Sequence, residues 1–294
     1  MTDSGRMDRR MALAGLGATT GAVLAGLGQG RANAEGGEGK SPLKGRLKQS
    51  VCKWCYKDLT LDELCAAAAE IGIPSVELLG PEDWPTVKKH GLICAMPSGP
   101  GGIGKGWNRI GQHDDLVKKS EELLPQIAEA GFPNMIVFSG NREGLPDDEG
   151  IENCAKGLKR ITPLAEKLGV TICMEILNSK RSHKDYQCDK TLWGVELVKK
   201  VGSPRFKLLY DIFHTQIMEG DVIDTIRENI DSIGHFHTGG VPGRAEIDET
   251  QELNYRRICE AIVETGFDGY LAQEFIPTRD PIASLEQAVR ICDV

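Results

Sequence analysis

Short apolar segments and longer amphipathic segments alternate eight times along this chain. The predicted strands cover residues 47–56, 75–79, 92–96, 134–138, 170–177, 206–212, 233–237 and 269–275. The predicted helices cover residues 59–71, 82–90, 114–130, 148–168, 190–201, 221–229, 255–265 and 282–291. Strict strand–helix alternation requires parallel strands with crossover helices, and eight such units close into a barrel. We therefore predict an α/β fold, a single (β/α)8 TIM barrel over residues 47–294; a doubly wound open sheet is the alternative.

Four successive predicted strands end in, or close to, a side chain that can bind a metal ion or move a proton. These side chains are Glu175, Asp211, His237 and Glu274. A charged group at the end of a buried strand needs a partner, because an isolated carboxylate in an apolar setting is costly. In a barrel all strand ends surround one mouth, where barrel active sites lie. An open sheet offers no reason for this repetition, so the pattern favours the barrel and predicts one shared site.

Three carboxylates and one imidazole form an oxygen-rich ligand set. Such a set suits Mg²⁺, Mn²⁺, Co²⁺ or Fe²⁺ better than a structural zinc ion, which favours cysteine and histidine ligands. We predict that Glu175, Asp211, His237 and Glu274 hold one divalent metal ion. His235 lies two residues before His237, on the same face of its strand, and is predicted to contact the substrate or to support the ligands from behind.

A divalent ion at a barrel mouth would bind the carbonyl and adjacent hydroxyl of a small hydroxy-carbonyl compound and stabilise an enediolate. Proton transfer between neighbouring carbons then needs positioned side chains, and Glu175 and Glu274 are the predicted acid and base. His214, in a predicted loop after Asp211, and Arg244 are predicted to contact substrate oxygens. Because a guanidinium can bind a carboxylate through two parallel hydrogen bonds, Arg244 favours an acid over a neutral sugar.

Several segments resemble hydroxypyruvate isomerases of the xylose isomerase-like barrel superfamily, which also contains ketose 3-epimerases. They are Met174-Glu-Ile-Leu-Asn-Ser179, Tyr210-Asp-Ile-Phe-His-Thr-Gln-Ile-Met-Glu-Gly-Asp221, Ile233-Gly-His, Val241-Pro-Gly-Arg244 and Glu252-Leu-Asn-Tyr255. The resemblance implies a metal bound by Glu175, Asp211, His237 and Glu274. It also implies acid–base roles for Glu175 and Glu274 and the interconversion of hydroxypyruvate with tartronate semialdehyde. A ketose 3-epimerase, another sugar isomerase and a non-catalytic exported barrel that binds sugars or acids are the alternatives.

The N-terminus has the order of an export signal. Arg9-Arg10 precede an uncharged apolar run over residues 11–28, and Ala32-Asn-Ala34 follows as a cleavage motif. Paired arginines are typical of the twin-arginine route. We predict a twin-arginine signal peptide over residues 1–34, a flexible linker over residues 35–46 and a periplasmic protein; a membrane anchor is the alternative.

Charge and composition restrict the partners of the chain. Apolar residues make up 40% and charged residues 27%, as in ordinary globular proteins. The net charge of −8 argues against a protein that grips nucleic acid through its phosphates, and too few histidines are present for the several-metal cluster of an abasic-site endonuclease. We predict a small-molecule substrate, no nucleic acid and no membrane after signal cleavage, with a homo-oligomer left open.

The nine cysteines include one C-x-x-C pair, Cys52 and Cys55. Most others fall inside predicted helices or strands, where thiols pack as small apolar side chains. We predict structural thiols throughout, with Cys52 and Cys55 as the one candidate disulfide.

A glycine-rich segment, Ser98-Gly-Pro-Gly-Gly-Ile-Gly-Lys105, partly matches two phosphate-binding motifs. Gly106 stands where a P-loop has serine or threonine, and the segment follows the third predicted strand rather than the first. We predict a flexible loop that closes over the barrel mouth, with Lys105 or Trp107 meeting the substrate.

Overall fold

Apolar runs that are buried on both faces form the sheet at the centre of the molecule. The computed structural model describes residues 41–294, of which residues 42–294 form one compact unit. The strands are β1 (Lys48–Cys52), β2 (Ser75–Glu77), β3 (Asn134–Val137), β4 (Thr171–Glu175), β5 (Phe206–Asp211), β6 (Ile233–His237) and β7 (Tyr270–Gln273). All residues of β3 and nearly all of β5 are buried, as expected for parallel strands covered by helices.

Ten α-helices surround the sheet in the described residues. They are α1 (Leu61–Ile71), α2 (Trp84–Lys89), α3 (His113–Ala130), α4 (Asp147–Leu158), α5 (Thr162–Leu168), α6 (Thr191–Val201), α7 (Ile212–Met218), α8 (Val222–Asn229), α9 (Tyr255–Glu264) and α10 (Pro281–Cys292). Helix α1 begins with a capping box between Thr60 and Glu63 and ends at Gly72 in the left-handed conformation. Glycines end α3, α5 and α6 in the same way, so the helix stops were readable from the sequence.

The strands are parallel and lie in the order β2-β1-β7-β6-β5-β4-β3. The predicted third strand, residues 92–96, is wrong as a regular strand: it forms one isolated bridge, between Ile93 and Ser75. The segment nevertheless fills the space between β2 and β3, because Leu78 N–H donates to the Met96 carbonyl and Ile136 N–H donates to the Pro97 carbonyl. The curled sheet therefore closes as a barrel, and the predicted parallel α/β barrel is confirmed.

Two further predicted elements differ from the structure. The predicted helix over residues 148–168 is divided into α4 and α5, because Pro163 has no N–H group and begins a new helix near its N-terminus. The predicted loop after Asp211 is instead helix α7. Asp211 caps this helix, since its carboxylate accepts a hydrogen bond from the backbone N–H of His214 at 2.8 Å.

The predicted signal peptide, residues 1–34, and the first part of the predicted linker lie outside the described residues. The last residues of the predicted linker contact the C-terminus. The backbone N–H groups of Lys44 and Gly45 donate to the carboxylate of Asp293 at 2.9 and 3.1 Å, and Arg46 donates to the carbonyl of Val294. Within residues 41–294, no helix combines the length and the apolar character needed to cross a membrane.

All nine cysteines are buried free thiols, as expected for side chains that pack as small apolar groups. Cys52 and Cys55 do not form a disulfide in this structure. Burial raises the pKa of the Cys52 thiol well above its ordinary value, so this thiol is protonated.

Candidate active site

The four predicted ligands meet at the carboxyl ends of adjacent strands. Glu175, Asp211 and His237 are the last residues of β4, β5 and β6, and Glu274 directly follows β7. Asp211 pairs with His237 in the register of β5 and β6. One ligand atom from each of the four side chains lies within 4.8 Å of all the others, and all four side chains are buried. The structure thus brings together residues that the sequence separates by about one strand–helix unit each.

Glu77, at the end of β2, determines which nitrogen of His237 faces the ligand cluster. Its Oε1 atom lies 3.0 Å from His237 Nε2 and 2.9 Å from His235 Nε2. The two histidines outweigh the effect of burial and hold the pKa of Glu77 at about 2, so it is an acceptor only. His237 must therefore carry a proton on Nε2, and this leaves Nδ1 to point at Glu175 and Glu274.

The Nδ1 atom of His237 has the surroundings of a metal ligand. It lies 2.7 Å from Glu274 Oε2 and 3.3 Å from Glu175 Oε1, but neither contact has the geometry of a hydrogen bond. Atoms that converge on a common centre, rather than on one another, produce this arrangement. A carboxylate behind a histidine is also the usual support of a metal-binding imidazole. The residues present therefore fit a divalent cation held by Glu175, Asp211, His237 and Glu274.

Arg244 is the cation that the described structure places beside these carboxylates. Its Nη2 atom lies 2.9 Å from Asp211 Oδ2 and also contacts Glu274 Oε2, and its Nε–H donates to the Glu274 carbonyl at 3.0 Å. The guanidinium lies 4.8 Å from the ring of Phe213 and 5.5 Å from that of Trp54. The guanidinium thus occupies the acidic side of the cluster and offsets part of its negative charge.

Burial and neighbouring charges shift the acids of the cluster in opposite directions. Burial raises the pKa of Asp211 to about 7, although Arg244 opposes the shift, and burial also raises the pKa of Glu175. Burial alone would raise the pKa of Glu274 too, but Arg244 and His237 hold it well below its ordinary value. Burial by itself would lower the pKa of His237, yet the adjacent Glu274 raises it well above the usual range. The cluster thus attracts positive charge, and its two glutamates differ in basicity.

His214 lies in the first turn of α7 and lines the same site. Burial, followed by the charge of Arg244, lowers its pKa well below the ordinary value, so the ring is neutral. The backbone N–H of Asn178 approaches Nδ1 at 3.1 Å, and Arg244 Nη1 lies 2.6 Å from Nε2. A neutral imidazole accepts on one nitrogen only, and the closer contact is with Arg244, which can only donate. His214 therefore helps to hold the Arg244 guanidinium at the site.

These side chains open into a cavity of about 590 Å³. Glu175, Glu274, His214 and Arg244 line its polar side, with His183 and Ser182. The opposite side is apolar, and its residues come from the ends of β2 and β3, the glycine-rich segment and the turn after β4. They are Leu78, Ile103, Ile136, Phe138 and Leu177. Such a cavity suits a small organic molecule with a polar and an apolar end.

Three predicted substrate contacts lie elsewhere. His235 is fully buried behind His237 and does not line the cavity, so its position agrees with support of the ligands and not with substrate contact. Trp107 is fully buried and packs beside His113, with its ring centroid 6.0 Å from that of the histidine. Lys105 borders a separate groove on the outside of the barrel. The sequence did not show which of these side chains line the cavity, because burial depends on what each segment packs against.

Three further residues contribute to the site and were not predicted from the sequence. Glu77 was recoverable, because a carboxylate inside the predicted strand over residues 75–79 needs a buried partner. Trp54, whose Nε1–H donates to Glu274 Oε1 at 2.7 Å, sits in a short turn after β1 that no sequence pattern marks as part of the site. Asn178 follows β4 and orients His214, which only the packing of α7 against that turn reveals.

Comparison with known proteins agrees with this architecture. A 2-oxo-tetronate isomerase of Cupriavidus necator is 29% identical over 240 residues, which cover 76% of this chain and 90% of that protein. A putative hydroxypyruvate isomerase of Homo sapiens is 32% identical over 112 residues, 38% of this chain and 40% of that protein.

Two solved structures share the fold. The AP endonuclease, family 2, of Brucella melitensis superposes with a TM-score of 0.75 at 24% identity, covering 81% of this chain and 97% of that one. The D-psicose 3-epimerase of Clostridium cellulolyticum H10 superposes with a TM-score of 0.65 at 17% identity, covering 84% and 96%. The sequence pattern of one family matches residues 65–293, most of the chain. The chain belongs to the xylose isomerase-like TIM barrel family.

Proposed function

We propose that this protein is a divalent-metal-dependent isomerase of small hydroxy-carbonyl acids that interconverts hydroxypyruvate and tartronate semialdehyde. The observation that carries the proposal is the convergence of Glu175, Asp211, His237 and Glu274 at one end of a cavity that also holds Arg244. The named activities of the two relatives, a 2-oxo-tetronate isomerase and a putative hydroxypyruvate isomerase, support the same reaction class.

Substrate orientation is assigned to the polar side of the cavity. Arg244 lines the cavity and is held by His214 at 2.6 Å, and a carboxylate of the substrate would accept hydrogen bonds from its guanidinium. This anchoring would direct the neighbouring carbonyl and hydroxyl carbons towards Glu175 and Glu274. A bound divalent ion would supply the Lewis acidity that stabilises negative charge on the two substrate oxygens during the reaction.

Proton transfer is assigned to the two glutamates. One removes a proton from the hydroxyl-bearing carbon, whose electron pair forms the carbon–carbon double bond of an enediolate. The other returns a proton to the former carbonyl carbon, while the hydroxyl proton passes to the neighbouring oxygen. Atoms and electrons balance without any redox partner. Trp54 keeps Glu274 oriented through its 2.7 Å hydrogen bond to Oε1.

The test uses the protein loaded with Mn²⁺ or Mg²⁺ and hydroxypyruvate in deuterated water. We expect formation of tartronate semialdehyde and deuterium incorporation at the reacting carbon. Glu274→Gln should lower kcat by about 10²–10⁴-fold. The matched control is Glu70→Gln, because Glu70 is exposed on α1 and away from the cavity. Absence of turnover, or a Glu274→Gln variant as active as the control, would contradict the proposal.

A ketose 3-epimerase is the second candidate. The cavity volume of about 590 Å³ is large enough for a sugar longer than three carbons. The same assay with a panel of ketoses distinguishes the two activities, because epimerisation at carbon 3 leaves the carbonyl position unchanged. Export by the twin-arginine route is proposed from residues 1–34 alone and would be tested by the location of the full-length chain in a strain with and without that route.

A further inference from the structure

The apolar side of the cavity is larger than the proposed three-carbon substrate requires. Hydroxypyruvate has about seven non-hydrogen atoms, and at roughly 30 Å³ for each water-sized group it would fill about 200 Å³. The cavity holds about 590 Å³. More than half of the space therefore lies beyond the reacting atoms, and its walls decide what can occupy it.

The polar and the apolar residues that line the cavity come from different halves of the barrel. The charged and hydrogen-bonding side chains follow β4, β5, β6 and β7. The other half contributes mostly apolar side chains: Leu78 after β2, Ile136 and Phe138 at the end of β3, and Ile103 in the glycine-rich segment. Ser98, at the start of that segment, also lines the cavity. A hydroxyl group placed against the four apolar side chains would lose its hydrogen bonds to water without replacement, which disfavours a polyhydroxylated sugar there.

The apolar wall is built into the fold. At the start of the glycine-rich segment, Ser98 N–H donates to the Leu79 carbonyl at 3.1 Å, and just after its end Trp107 N–H donates to the Phe138 carbonyl at 3.1 Å. A Cβ atom on Gly99 would lie 2.0 Å from the Ile136 carbonyl oxygen, so the segment packs directly on β3. Ile103 lies between these two contacts and lines the cavity.

We propose that the physiological substrate is a 3-hydroxy-2-oxo acid that bears an apolar substituent on its hydroxyl-bearing carbon. This inference rests on the proposed function for its reactive end and adds the chemical class of the remainder. The general form is R–CH(OH)–CO–COO⁻, which isomerises to R–CO–CH(OH)–COO⁻ with no atom gained or lost. R is an alkyl or aryl group that fills the space beside Ile103, Ile136 and Phe138. Hydroxypyruvate is the member in which R is hydrogen.

The test compares members of this series on the Mn²⁺-loaded protein, by kcat/KM and, separately, by calorimetric Kd. The sharpest pair is R = ethyl against R = hydroxymethyl, because the two groups have nearly the same size and differ in polarity. We expect kcat/KM for the ethyl member to be at least about tenfold higher than for the hydroxymethyl member. Each further methylene should raise kcat/KM by about fourfold until the cavity is full.

The matched variants are Ile103→Ser and Ile110→Ser. Ile103 lines the cavity, whereas Ile110 is an exposed isoleucine a few residues later that lines only the outer groove. Ile103→Ser should reduce the preference for ethyl over hydroxymethyl by about tenfold. Ile110→Ser should leave this preference unchanged.

The outcomes separate the two proposals. Turnover of hydroxypyruvate with equal or better use of the hydroxymethyl member would overturn the inference and leave the proposed function intact. Affinity that rises with the apolar substituent, without turnover of any member, would support the inference about the ligand and refute the isomerase. Equal Kd values across the series would overturn the inference whether or not turnover occurs. Since the wild-type series alone decides it, misfolding of Ile103→Ser would not remove the test.

Discussion

At the scale of single residues, Glu77 decides which ring nitrogen of His237 faces the cavity. Glu77 is not one of the four predicted metal ligands, yet it accepts hydrogen bonds from Nε2 of both histidines of β6. Without it the His237 ring could carry its proton on Nδ1, where a metal ion would otherwise bind. The place of His237 in the cluster was predictable from its position at a strand end, but its tautomer depends on a carboxylate far away in the sequence.

We expect Glu77→Gln to weaken binding of Mn²⁺ by about 10–100-fold, because an amide no longer fixes the His237 proton on Nε2. Calorimetric titration with Mn²⁺ measures the change, and Glu70→Gln on the exposed face of α1 is the control. Thermal unfolding of both variants without metal separates lost affinity from lost folding. A folded Glu77→Gln protein with the wild-type Kd would show that this carboxylate does not support the ligand.

The negative charge of Glu246 stabilises the folded protein. It lies after β6, is buried, and accepts hydrogen bonds from the Thr278 backbone N–H at 2.9 Å and hydroxyl at 2.8 Å, and from the Ser284 hydroxyl at 2.9 Å. Although burial opposes the shift, these donors lower its pKa from 4.5 to about 2. The carboxylate therefore holds the turn before α10 in place while it is ionised.

Because the folded pKa of Glu246 is depressed, its contribution to stability is fully present above about pH 4.5 and is lost as pH falls towards 2. A shift of this size corresponds to at most about 3 kcal/mol. Glu246→Gln should therefore lower the free energy of unfolding by about 2–3 kcal/mol at pH 7, and the difference from wild type should narrow between pH 4.5 and 2. Urea unfolding across that range measures it. A difference that stays constant with pH would contradict the assignment.

At the scale of elements, the segment between β2 and β3 shows how packing replaces regular secondary structure. Residues 92–96 have the apolar composition of a strand, but they form only an isolated bridge and then continue into the glycine-rich segment. Glycine there permits close approach to the backbone of β3. The sequence correctly marked the segment as apolar and buried. It could not show which neighbour the segment would follow, because strand pairing is a non-local property.

Gly99→Ala should displace the glycine-rich segment from β3, since the added Cβ would meet the Ile136 carbonyl oxygen at 2.0 Å. We expect a loss of about 2 kcal/mol or more of unfolding free energy and a clear fall in turnover. Gly102→Ala is the matched control three residues away, because a Cβ there meets nothing within 4 Å. Unfolding by denaturant and the isomerase assay measure both effects. Equal stability of the two variants would show that the close contact is not needed.

At the scale of the whole molecule, the candidate metal site joins the ends of four neighbouring strands. Glu175, Asp211, His237 and Glu274 belong to β4, β5, β6 and the end of β7, which make up one side of the barrel. No such set exists in the unfolded chain, because these side chains meet only when β4, β5, β6 and β7 pair. A divalent ion should therefore bind the folded state and not the unfolded one, and its binding should be visible as stability.

Metal at about 100 times its Kd should stabilise the folded protein by about 2.7 kcal/mol. For a chain of this size this is a rise in Tm of roughly 5–10 °C. Asp211→Asn should lose most of the metal-dependent rise, whereas Glu70→Gln should keep it. Differential scanning calorimetry with and without a chelator measures the shift. The same rise in Asp211→Asn and in the wild type would place the ion elsewhere.

The sequence by itself determined the class of fold and the four polar side chains that meet at the barrel mouth. It did so because parallel strand–helix alternation and polar side chains at strand ends are local patterns with a single geometric consequence, that all strand ends meet at one mouth. Only the tertiary structure decided that Glu77 orients His237, that His235 lies behind the ligands, and that Ile103 and Phe138 line the cavity. Those facts depend on contacts between segments distant along the chain, and no local periodicity encodes which of two buried surfaces will pack together.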